Sequence, residues 1–114
     1  MATTEMNCLA SGGGGASEFN AKIKIPTAME NCVILDTLGL TKLDISNSQS
    51  SSSATVRKAN VTDWSTFAYT DLTNIGTLEN VQSLSAQDLT GFNALVLGAN
   101  NRTNHALVTL KMYN

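Results

Sequence analysis

The residues best equipped for chemistry are few: one histidine, His105, and two cysteines, Cys8 and Cys32, in a chain of 114 residues. A hydrolytic centre would need His105 beside an activated serine and a carboxylate, and no GxSxG segment supplies that serine. Cys8, Cys32 and His105 can be drawn around zinc, but the spacing of the cysteines matches no structural zinc pattern. Both cysteines are expected to be small buried hydrophobes, with a disulfide stapling the N-terminal segment to the body as the other option. Gly12-Gly13-Gly14-Gly15 does not read as a phosphate cradle, because no Lys-Ser/Thr follows it and no strand is expected before it. Asp36 and Asp44 fall where strand-flanking carboxylates are usually solvated. The chain is therefore expected not to be an enzyme, with no catalytic residue, cofactor or metal ligand assigned.

Trp64 and Tyr69, with Phe67 between them and Asp63 and Asp71 outside, are the densest group of recognition residues. Aromatic faces beside carboxylates and amides are the chemistry of a sugar platform, stacking on the ring and hydrogen bonding at its rim. Yet the chain has one Trp, two Tyr and three Phe in all. A domain of this size needs them for packing, so core or subunit-interface packing is the preferred role of Trp64 and Tyr69. A glycan-binding or adhesive β-sandwich module is the alternative.

Charged residues make up 14% of the chain, and 11 Ser, 14 Thr and 12 Asn take their place. Globular domains ordinarily carry about a quarter charged residues. An uncharged polar surface suits extracellular or particle-borne β-proteins and disperses a free monomer poorly. The net charge of −2 gives no electrostatic footprint for nucleic acid. No apolar run nears the ~20 residues that a membrane-spanning helix needs, so no membrane partner is expected. The N-terminus lacks the basic and apolar regions of a signal peptide, which points to synthesis in a host cytoplasm. The sequons at Asn60 and Asn101 are then chance matches.

The elements that must position these groups read as mainly β. Residues 1–18 form an extended Gly-rich N-terminal arm, and residues 19–114 a small antiparallel β-sandwich of seven or so strands. Phe19, Ala21, Ile23 and Ile25 alternate with Asn20, Lys22 and Lys24, and Pro26 ends that strand. Asn31–Asp36 is an apolar run suited to a buried strand, and Thr41–Ile45 alternates after a turn at Gly39. Ser46–Ser53 is an exposed polar loop, open to insertion between Ser51 and Ser52. Strands are expected at Thr55–Ala59 and Ser65–Thr70. Between Asp71 and Phe92 apolar residues recur every third position, read as irregular chain, with a helical turn at the capping box Ser85–Asp88. Ala94–Leu97 and Ala106–Tyr113 flank a loop, Gly98–Asn104, and are expected to form a hairpin.

The arm carries the functional expectation. Ordering consecutive glycines costs roughly 1–2 kcal/mol per residue, so something must hold them. Met6, Cys8 and Leu9 are the apolar anchors, Gly12, Gly13, Gly14 and Gly15 allow close backbone approach, and a neighbouring subunit is the expected receiver. The opening Met1-Ala-Thr-Thr-Glu-Met-Asn-Cys8-Leu-Ala-Ser-Gly-Gly-Gly-Gly15, leading directly into a small β-domain, resembles small virion accessory proteins of tailed bacteriophages. The resemblance implies a structural role in capsid decoration, at the head–tail junction, or in the tail and baseplate. Its partners would be other virion proteins and copies of itself, and its location the virion.

Overall fold

Alternation at Glu18–Ile25 buries Ala21, Ile23 and Ile25 and leaves Asn20, Lys22 and Lys24 in solvent. That is the pleat of a half-buried strand, and Pro26 stops it by lacking an N–H. The computed structural model describes the backbone of residues 5–6, 9–13, 17–100 and 104–114, with side chains from residue 17 onward. Ten strands follow in chain order: β1 (Glu5–Met6), β2 (Leu9–Gly13), β3 (Glu18–Ile25), β4 (Val33–Asp36), β5 (Lys42–Asn47), β6 (Ser53–Asp63), β7 (Ala68–Glu79), β8 (Gln82–Asp88), β9 (Ala94–Ala99) and β10 (Ala106–Tyr113). There is no helix among the described residues.

Two four-stranded antiparallel sheets make the body, β4-β9-β6-β7 and β3-β10-β5-β8. The expected small β-sandwich is the observed fold. The N-terminal segment adds one strand to each sheet on the same flank, β1 beside β4 and β2 beside β3. On the opposite flank the connected strands β7 and β8 belong one to each sheet.

The inner faces meet in one core. Ile23, Ile25, Leu43, Ile45, Leu110 and Met112 come from one sheet, and Val33, Leu35, Val56, Leu95 and Leu97 from the other. Each large aliphatic side chain buried this way contributes about 1.5–3 kcal/mol of transfer free energy. Strand β9 is buried along its whole length because its outer face is covered as well: Ala94 and Val96 join Ile34, Ala59 and Val61 in a second cluster.

Several expectations change in three dimensions. The two C-terminal strands do not form a hairpin: β9 pairs with β4 and β6, whereas β10 pairs with β3 and β5 in the other sheet. The connection crosses the sandwich, and apolar strands flanking a loop fit either arrangement. Ser65-Thr66-Phe67 is not strand; it lies in the turn between β6 and β7. The segment after Asp71 is regular strand, and Ser85–Asp88 belongs to β8 rather than to a helical turn. Its three-residue apolar spacing comes from β-bulges. The register of β7 against β6 slips between Val56 and Arg57 and again between Lys58 and Asn60, each time by one extra residue on β7. An inserted residue shifts the in–out alternation, so Ile75 and Leu78 both reach the core although three positions apart.

The serine-rich loop is also more deeply set than its composition suggested. Asn47, Ser52 and Ser53 are each 1% exposed. Asn47 Nδ2 donates to Ser52 Oγ at 2.8 Å and to the Leu78 carbonyl, while its Oδ1 accepts from the N–H groups of Gln49 and Leu107. Ser51 sits at φ 55°, with its N–H donating to Asn80. The junction of Ser51 and Ser52 is therefore a packed turn, unsuited to insertion, and only residues 48 and 50–51 of the loop are well exposed.

Candidate functional site

Three surfaces collect the residues singled out by the sequence. The first is the flank laid down by the N-terminal segment. Met6 lies on β1 opposite Val33, and Leu9, Gly12 and Gly13 lie on β2 opposite Lys24, Ala21 and Asn20. Leu9–Gly13 thus pairs along its own chain's sheet. Cys8, Gly14 and Gly15 lie outside the described residues. Cys32 is 4% exposed and disulfide-bonded, which corrects the expectation of two free buried thiols. The chain's other cysteine is Cys8. The Met6–Val33 pairing brings the N-terminal segment alongside Cys32, a proximity that spacing along the sequence cannot reveal.

The second surface is the aromatic group. Trp64, Phe67 and Tyr69 pack on the outer cluster of Ile34, Ala59, Val61, Ala94 and Val96. The Trp64 and Phe67 rings meet edge to face, centroids 6.2 Å apart and planes at 83°. The tight turn holds them: Asp63 Oδ1 accepts from both the N–H and the hydroxyl of Ser65, and Phe67 takes φ 57°. All three aromatics are half-buried. They serve as the lid of a small core, with part of each ring left outside. Asn93, which the sequence reading missed, anchors the same region. Its amide accepts from the Val61 N–H at 2.7 Å and donates to the Val61 carbonyl at 2.9 Å, standing in for a neighbouring strand.

The third surface is the outer face of the β3-β10-β5-β8 sheet. Asp44, Ser46, Ser83, Ser85, Thr109 and Lys111 line a shallow groove of about 220 Å³ there. Asp44 Oδ1 accepts from the Ala86 N–H at 2.7 Å and from the Tyr113 hydroxyl at 2.9 Å. Lys111 reaches Glu18 at 3.5 Å and lies over the Tyr113 ring. The groove offers hydroxyls and one fixed carboxylate.

Comparison with known proteins returns no matching family model, curated protein or solved structure. Function must therefore be argued from these surfaces. No side-chain hydrogen bond or ion pair among the described residues involves His105. No group of three or more His, Cys, Asp or Glu side chains among them is placed to hold a metal ion. No helix among the described residues is long and apolar enough to cross a membrane.

The Asp44–Tyr113 contact has a measurable signature. The Ala86 main-chain bond first, and the Tyr113 hydroxyl second, hold the Asp44 carboxyl below the usual carboxylate range. The Tyr113 hydroxyl donates to Asp44, and that bond, with the nearby negative charge, raises Tyr113 above an ordinary tyrosine. Bonds from the Ser65 hydroxyl to Asp63 and from the Thr90 hydroxyl to Asp88 lower those carboxyls too. A carboxyl lowered by folding adds stability that is present above its unfolded pKa and lost as pH falls through the folded one. A phenol raised by folding adds stability below its unfolded pKa that is lost as pH rises through the folded one. Stability should accordingly decline below about pH 4 and again above about pH 10. Tyr113→Phe removes the shared bond and should flatten the thermal-unfolding profile at the alkaline end, while the acid end weakens only in part because the Ala86 bond to Asp44 and the lowered Asp63 and Asp88 remain. A profile unchanged at the alkaline end would show that the bond does not form in solution.

Proposed function

We propose that this chain is a non-enzymatic structural protein of a bacteriophage virion, a decoration, head–tail junction or tail and baseplate component. It assembles with other virion proteins and with copies of itself through its N-terminal segment and strand faces. The observation that carries this reading is the place of Leu9–Gly13 at the margin of a sheet. Main-chain groups at a sheet margin are a ready template for another chain. The sparse charge supports the same reading, since 14% charged residues leave few repulsive contacts between copies. Support also comes from the resemblance of the opening residues to small virion accessory proteins. The glycan-platform reading draws less support, because Trp64 and Tyr69 are engaged in covering the outer cluster.

Quantitative mass spectrometry of purified particles of the phage encoding the chain tests the proposal. The protein should be present at a fixed copy number that survives density-gradient purification. Absence from purified particles, with the protein abundant in the lysate, overturns it. Should a glycan array then give a hit that Trp64→Ala abolishes without unfolding, the adhesive module takes its place.

A further inference from the structure

Two buried hydroxyls stand apart from the other polar groups of the interior. Ser53 and Thr55 are 1% and 5% exposed, and neither Ser53 Oγ nor Thr55 Oγ1 has a hydrogen-bond partner in the protein among the described residues. Asn47 and Ser52, buried beside them in the chain, form a closed set instead. Asn47 Nδ2 donates to Ser52 Oγ, and the Ser52 hydroxyl donates to the Gln49 carbonyl. A hydroxyl buried without a partner forfeits the bonds it made to water in the unfolded chain, a penalty that native interiors rarely carry.

The surroundings of the two hydroxyls are polar. Alternation along β6 turns Ala54 and Val56 into the main core, so Ser53, Thr55 and Arg57 share the opposite face of the strand. Thr55 lies opposite Gly98 of β9, the residue whose missing Cβ admits the backbone of Glu30 and Asn31. The Met29–Asn31 segment therefore crosses the sheet beside Thr55. Arg57 clamps that segment, with Nη1 2.8 Å from Asn31 Oδ1 and 3.4 Å from Glu30 Oε2. Both contacts use a single nitrogen of a guanidinium that carries five N–H donors.

We propose that Ser53 and Thr55 hold one internal water molecule between β6 and the segment that crosses it. The water accepts from one hydroxyl and donates to the other, so both buried groups are satisfied at once. Side chains two positions apart on a strand start about 6.6 Å apart. A water bonded at ~2.8 Å to each of two hydroxyls spans up to ~5.6 Å, so one molecule serves both when the hydroxyls lean toward each other. Buried sites that stay dry are lined by apolar groups, whereas this one presents two hydroxyls under a polar cover. A neutral occupant fits better than an ion, because Arg57 and Glu30 in that cover already offset each other at 3.4 Å. Such a water fixes the crossing segment to the sheet whether or not the chain serves in a virion.

Thermal unfolding of the full chain separates a hydrated pair from an orphaned one by the sign of the change. Thr55→Val keeps the branched shape and exchanges the hydroxyl for a methyl group. A hydroxyl bonded to an internal water is then lost together with its bond, and Tm should fall by roughly 4–8 °C. An orphaned hydroxyl would give the opposite result, since its removal relieves a desolvation penalty and raises Tm. Ser53→Ala should also lower Tm. The double variant should lose clearly less than the two single losses together, because one water is shared. A crystal structure of the natural sequence supplies a readout that needs no variant to fold: one ordered water within hydrogen-bond distance of both hydroxyls. A higher Tm in Thr55→Val, strictly additive losses, or no water at that place overturns the inference.

Discussion

Gly98→Ala should cost the fold about 3 kcal/mol, the upper part of the range for forcing an atom into a packed interior. Gly98 lies within β9, buried, and an added Cβ would come within 2.4 Å of the Asn31 nitrogen and 2.9 Å of the Glu30 Cα. These are backbone atoms and cannot rotate aside. The Met29–Asn31 segment is itself tied down: the Ala99 N–H donates to the Met29 carbonyl at 3.0 Å, and Arg57 Nη1 donates to Asn31 Oδ1 at 2.8 Å. Making room for a methyl group means lifting that segment and losing those bonds. Thermal unfolding should show Tm lower by roughly 10–15 °C, and Gly98→Val should not fold. Gly76→Ala is the internal control, since its Cβ would meet only the mobile Leu84 Cδ1 at 3.1 Å. If both alanine variants lose stability equally, close backbone approach is not what Gly98 provides.

Cys32→Ser should cost a comparable amount, about 2–5 kcal/mol, the range for removing a native disulfide from a small domain. Cys32 precedes β4 and is buried in the main core, so the bond anchors its partner directly at the sandwich. The physical account is that the cross-link restricts the unfolded chain, with the folded contacts little changed. Reductant should therefore lower the Tm of the natural sequence to that of Cys32→Ser and leave the variant itself unmoved. A reductant-insensitive natural sequence would mean that the bond adds nothing to stability.

How far the sequence reached differs from element to element, for identifiable reasons. The strand at Glu18–Ile25 was legible residue by residue because period-two alternation records which face is buried. The strands at Val33–Asp36, Lys42–Asn47, Ala94–Ala99 and Ala106–Tyr113 were legible as strands, since β-branched and aliphatic runs between Gly, Asn and Pro leave little else. Their partners were not. Ala94–Ala99 and Ala106–Tyr113 look like a hairpin to any local reading, and only packing sends them to opposite sheets. The apolar triplet spacing from Leu72 to Leu84 concealed a strand pair, because bulges break the alternation on which a local reading depends.

The candidate surfaces divide in the same way. Composition determined a sparsely charged chain with aromatic residues too few to be spared freely from packing, and strand-like patterning determined a mainly β body. Alternation determined which side of the first body strand faces inward. Tertiary structure decided that Trp64 and Tyr69 cover a second cluster, that Cys32 is bonded, and that Gly98 is required by a crossing segment and not by a turn. It also decided that Leu9–Gly13 lies at a sheet margin and that Asp44 meets Tyr113, 69 positions away. The physical reason is common to all of these. A sequence records the preferences of each residue for its own backbone and for one buried face, whereas contacts between distant segments arise only when those faces must share one interior.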